Sequence, residues 1–132
     1  MPVAGGDARQ ITRNGANKGL VSADGETLYY TRPGAGLFAV PAAGGAERLI
    51  ADSVLTGNFA VMSDGICYIS APRSDGLHEL RILDLSTSRT RVLSVLDGPI
   101  SQGLTVSPDR KTVLYTRQKD SQSDLMLIEN FR

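Results

Sequence analysis

The sequence predicts an all-β fold of about three stacked blades, each a sheet of four antiparallel strands. Three observations carry that expectation. A turn motif recurs as Ser22-Ala23-Asp24-Gly25, Ser63-Asp64-Gly65 and Ser107-Pro108-Asp109-Arg110, each followed by a short run ending in tyrosine. A second segment repeats independently, Pro2 to Ile11 matching Pro41 to Ile50 at an offset of 39, with proline, alanine, two glycines, arginine and isoleucine coinciding. No window sustains an i, i+3, i+4, i+7 apolar pattern beyond two turns, and 14 glycines with six prolines interrupt any candidate helix. Repeats of about 40 residues built from short strands are the pattern of stacked β-sheet blades.

The elements follow in chain order. Residues 1–18 read as a blade remnant in which Ala8 to Thr12 is a spare outer strand. Blades then occupy about 19–55, 57–98 and 100–132. In each, an Asp-Gly or related turn supplies the positive φ of a tight hairpin, flanked by runs such as Leu20-Val21 and Leu28-Tyr29-Tyr30-Thr31 that suit a pleated surface. These are the first and second strands. A polar or glycine-rich turn (32–36, 73–76, 118–123) leads to the third: Leu37 to Val40, Leu77 to Leu85, and Leu125 to Ile128. The fourth strands are Glu47-Arg48-Leu49-Ile50 and Thr90-Arg91-Val92-Leu93-Ser94, whose alternation suits an outer, solvent-facing position. The last blade lacks a fourth strand of its own.

Composition narrows the function classes. With 132 residues and 41% hydrophobic content the chain is long enough for one cored domain. Fourteen basic residues balance fourteen acidic ones, so no broad positive field favours nucleic acid. The N-terminal residues resemble neither a secretory leader nor a membrane span, and no membrane partner is expected. Compartment stays open: cytoplasmic by default, periplasmic for a piece of a longer exported protein. The lone Cys67 fixes no redox environment.

The run Ser107-Pro108-Asp109-Arg110-Lys111-Thr112-Val113-Leu114-Tyr115 resembles the repeat of TolB-type β-propellers, relatives of the WD-repeat propellers. The other two copies depart from it, with Ser22-Ala23 and Met62-Ser63 where Ser-Pro is usual. The stretch from Asp124 to Arg132 is similar to the closing strand of propellers fused, in some bacteria, to winged-helix regulators or Ser/Thr kinases. The resemblance implies six or seven blades in a full ring, of which this chain holds about the C-terminal half. Three blades cannot close around an axis, so the expected partner is a second copy. Two chains would make a six-bladed homodimer, Ala8 to Thr12 of one completing the last blade of the other.

Chemistry-bearing residues are sparse. His78 stands beside Glu79 in a strand, and no Gly-x-Ser-x-Gly elbow accompanies it, so no catalytic residue is assigned. Cys67, between Ile66 and Tyr68, reads as a small buried hydrophobe. Asp24, Asp64 and Asp109 give one carboxylate per turn, which suits side-chain closure of the hairpin better than a metal site. The glycine pairs open no helix that would hold a phosphate. No cofactor and no metal are expected. Tyr30, Tyr68 and Tyr115 take equivalent places and are expected to pack blade against blade. Arg32, Arg73, Asp75, Arg117, Lys119 and Asp120 should share one rim as candidate interaction residues. The expected function is a non-enzymatic module binding a protein, peptide or small ligand through rim loops or a central funnel. The alternatives are the propeller of a prolyl-oligopeptidase-like hydrolase or of a bacterial sensor.

Overall fold

The computed structural model describes residues 10–12, 15–119 and 122–129, and no helix occurs among them. Three antiparallel meanders follow one another. The first sheet has the order β1 (Asn17–Val21), β2 (Thr27–Arg32), β3 (Gly36–Pro41), β4 (Arg48–Ala51). The second repeats it with β5 (Phe59–Val61), β6 (Gly65–Ile69), β7 (His78–Asp84), β8 (Thr90–Leu96). The third has three strands, β9 (Ile100–Val106), β10 (Thr112–Lys119) and β11 (Gln122–Glu129), with β11 at its edge. The expected outer strand Ala8 to Thr12 lies partly outside the described residues, and positions 10–12 are in no strand.

The first and third turns are built alike. Ser22 Oγ donates to Asp24 Oδ1 (2.5 Å) and accepts from the Thr27 amide (3.0 Å), while Asp24 also accepts from the Glu26 amide (2.9 Å). Ser107, Asp109, Lys111 and Thr112 make the same bonds at 2.6, 3.0 and 3.0 Å. The residue after each aspartate is left-handed: Gly25 at φ 77° and Arg110 at φ 63°. The middle turn corrects the expectation of three equivalent closures. It is two residues shorter, closed by the Met62 amide on the Gly65 carbonyl (2.8 Å), and Gly65 already opens β6. Asp64 therefore has no following turn amide to accept from, and its carboxylate faces Arg110 of the third sheet instead (2.8 Å). Gly65 is needed for close approach, since a Cβ there would lie 2.7 Å from the Leu83 carbonyl oxygen.

Strand alternation divides the second strand of the middle sheet between two cores. Ile66 and Tyr68 of β6 face the first sheet and pack with Tyr29, Leu37, Ala39, Phe59 and Leu83. Cys67 and Ile69 face the third and pack with Leu80, Leu104, Val113 and Tyr115. Each large apolar side chain so buried contributes about 1.5–3 kcal/mol, so the two inter-sheet layers dominate stability. A buried polar stitch crosses each layer near the inner strands. Thr31 Oγ1 accepts from the Gly57 amide (3.0 Å) and donates to the Asn17 carbonyl (2.9 Å), and Asn58 Oδ1 accepts from the Gly103 amide (3.2 Å). Lys18 also reaches from β1 to the second sheet, donating to the Phe59 carbonyl (3.1 Å) over that residue's ring. The outward face of the third sheet is different. Leu125 and Leu127, opposite Thr116 and Leu114, are 73% and 52% exposed.

Candidate functional site

The expected rim residues each find a partner close to home. Arg32 closes β2, pairs with Glu47 at 2.9 Å and lies 4.3 Å above the Phe38 ring. Arg73, in the β6–β7 loop, pairs with Asp75 and reaches Glu79 at 3.4 Å. Arg117 lies within β10 rather than in the loop after it, and pairs with Asp97 at 3.0 Å. No ion pair among the described residues joins these arginines into one surface. The Lys119 side chain and Asp120 lie outside the described residues.

Two grooves of similar size run between the sheets. The first, about 490 Å³, lies between the first and second sheets and is lined by Leu49, Asp52, Tyr68, Glu79, Arg81 and Val92, among others. Its charges are closed on one another. Glu79 receives Arg81 at 2.5 Å and Arg73 from the other side. The Arg81 guanidinium, with Arg73 behind it, holds the Glu79 carboxyl below its ordinary range. The second groove, about 470 Å³, lies at the turn end between the second and third sheets and is lined by Asp64, Ile82, Asp84, Arg89, Arg91 and Arg110, among others. Arg110 is paired with Asp64, and the Asp84 carboxylate caps its own turn, accepting from Ser86 Oγ (2.6 Å) and the Ser86 amide (2.8 Å). The guanidinium groups of Arg89 and Arg91 have no acceptor among the described residues.

No family model matches the sequence, and no curated protein matches it. Solved structures do. A protein assigned as TolB from Agrobacterium tumefaciens matches 83% of this chain with a TM-score of 0.64 at 18% identity, over 40% of its own length. TolB from Acinetobacter baumannii matches 84% of this chain with a TM-score of 0.57 at 18% identity, over 27% of its own length. The β-propeller domain of the Trilobed protease from Pyrococcus furiosus matches 87% of this chain with a TM-score of 0.61 at 14% identity, over 38% of its own length. The chain has the fold of β-propeller blades. It spans less than half the length of each of these three structures, and its sheets are the blades of a partial ring.

Within the blades, Tyr68 packs against the first blade and Tyr115 against the second. Tyr30 lies on the opposite face of β2 from Tyr29, stacked on Phe38 with ring centroids 5.7 Å apart and its hydroxyl on Glu47. Burial and that carboxylate push its hydroxyl up to about 12. His78 is buried, with Nδ1 2.8 Å from the Ser70 carbonyl. A carbonyl only accepts, so the proton sits on Nδ1. The other side of the ring packs on Gly98, where a Cβ would come within 3.2 Å of Nε2. Burial likewise pushes the Cys67 thiol up to about 12, which leaves no thiolate at neutral pH. No three potential metal-ligating side chains come together among the described residues.

Sequence reasoning missed Arg89, Arg91 and the reach of Arg110. A signal for the last was present: Arg110 occupies the place that Gly25 fills in the first repeat, a position that disfavours any residue with a side chain.

Proposed function

We propose that this chain is a binding module without chemistry of its own, a half-ring of three blades that is completed by a second copy. One observation carries the reading: among the described residues the third blade has three strands where the others have four, and its outward face presents Leu125 and Leu127 beside an edge of β11 that pairs with no described strand. An apolar sheet face next to an open edge favours another strand and another sheet. The second copy fits because residues 2–11 repeat 41–50, the segment that forms the turn into β4 and β4 itself. Mass measurement by light scattering tests it. Expected is a single species of twice the chain mass, reduced to one chain mass by Leu125→Lys with Leu127→Lys while the β-sheet circular dichroism is retained. A wild-type chain that stays monomeric at about 100 μM overturns the ring.

The likeness to a protease's propeller domain favours a second reading, in which the blades belong to a hydrolase. The coding context discriminates: a reading frame that continues into a Gly-x-Ser-x-Gly domain supports the hydrolase and displaces the self-completed ring.

A further inference from the structure

We infer that the groove between the second and third blades is a binding site for a phosphate group. The inference is independent of ring closure, because every residue it needs belongs to one chain. Arg89 and Arg91 both line the groove, and their guanidinium groups are without acceptors among the described residues. Each is a planar fork of five N–H donors. A carboxylate shared between two guanidinium groups gives each only one oxygen, as Glu79 does with Arg81 and Arg73, whereas a phosphate monoester has three free oxygens with which to meet two forks. Two open forks in one groove therefore select phosphate.

The neighbouring carboxylates do not fill the role. Asp84 is turned into its own loop by Ser86, and Asp64 is held by Arg110. Arg110 itself stands at φ 63°, where its first-repeat counterpart is glycine, and it lines the groove from the third blade. Non-glycine residues in this region are concentrated at ligand clamps and other functional positions. An entering phosphate would compete with Asp64 for Arg110, giving a third donor and a built-in brake on affinity. The first groove offers no such site, because the arginine that lines it, Arg81, is spent on Glu79.

Backbone amide shifts during titration test this, with inorganic phosphate as one probe and a phosphoserine peptide as the other, at fixed ionic strength with chloride as control. Expected are saturable shifts at 63–65, 87–92 and 109–111 with either probe, the tighter of the two identifying the physiological source. Arg89→Gln with Arg91→Gln should weaken binding about tenfold or more, each charged hydrogen bond being worth about that factor. Asp64→Asn should strengthen binding several-fold by releasing Arg110, a gain that a misfolded variant would not show. Shifts that fail to saturate, that fall elsewhere, or that are unchanged in the double variant overturn the site.

Discussion

The two inter-blade grooves are nearly equal in volume and opposite in electrostatic condition. In the first, the lining pair Arg81 and Glu79 is closed, and Arg73 reaches Glu79 from outside the groove. In the second, one pair crosses from blade to blade and two guanidinium groups are left over. A repeat that builds both clefts from the same strands thus makes one closed and one receptive. Within the repeat, Arg89 stands where the first blade has Ala46, Arg110 stands where it has Gly25, and the middle turn is too short to engage its own aspartate.

The strongest test of the comparison lies beneath the grooves. If the two cores are equivalent and only the surfaces differ, Ile66→Ala under the first and Leu80→Ala under the second should each cost about 2–5 kcal/mol in urea unfolding. Both side chains are fully buried. A loss confined to one would mean that the blades are unequally cored and that the grooves differ for reasons of packing.

Next come the stitches across each cleft. Thr31→Val removes the buried link to Gly57, and Asn58→Leu removes the half-buried link to Gly103, each at a cost of about 1–3 kcal/mol. Similar losses for the two, read by thermal unfolding, support equivalent cleft interiors. A Thr31→Val that is neutral would place the first cleft's cohesion elsewhere.

The architecture was legible in the sequence because it rests on periodic features. Ser22, Asp24, Ser107 and Asp109 announce two identical turns, and Leu37-Phe38-Ala39-Val40 or Ile66-Cys67-Tyr68 announce strands buried on both faces. The charge pairing was not legible, since it depends on which ends meet in space. Arg32, Arg73 and Arg117 look alike after three strands, yet each is neutralised by a partner that the sequence places 15, 2 and 20 residues away. The alternation of the outer strands also misled. In both β4 and β8 the ladder skips a residue, Ile50 and Leu93, so these side chains turn inward onto the cores.

Acid should separate the grooves more gently. The Glu79 carboxyl sits below its ordinary value through Arg81, so its share of stability is complete above pH 4.5 and is lost as pH falls through the lowered native value. Arg81→Met should return Glu79 toward its ordinary titration midpoint, followed by carbon-detected NMR. Arg91→Gln, in the other groove, should leave it where it is. A Glu79 midpoint indifferent to Arg81 would mean that the first groove is not electrostatically closed.

The smallest effect, Arg110→Gly, asks why the second groove keeps a side chain where its repeat partner has none. Glycine would relieve a left-handed backbone that costs about 1 kcal/mol for an ordinary residue. Against this stand the exposed pair with Asp64, worth about 1 kcal/mol or less, and the greater freedom of glycine in the unfolded chain, worth about 0.4–1 kcal/mol. These contributions nearly cancel, so the unfolding free energy should move by less than about 1 kcal/mol in either direction. Phosphate affinity should fall nonetheless, because the third donor is gone. A variant of unchanged stability and weakened binding would show that Arg110 serves the groove. A variant destabilised by more than 2 kcal/mol would show instead that the Asp64 pair holds the two blades together, and the contrast between the closed and the open groove would then be one of strength rather than of purpose.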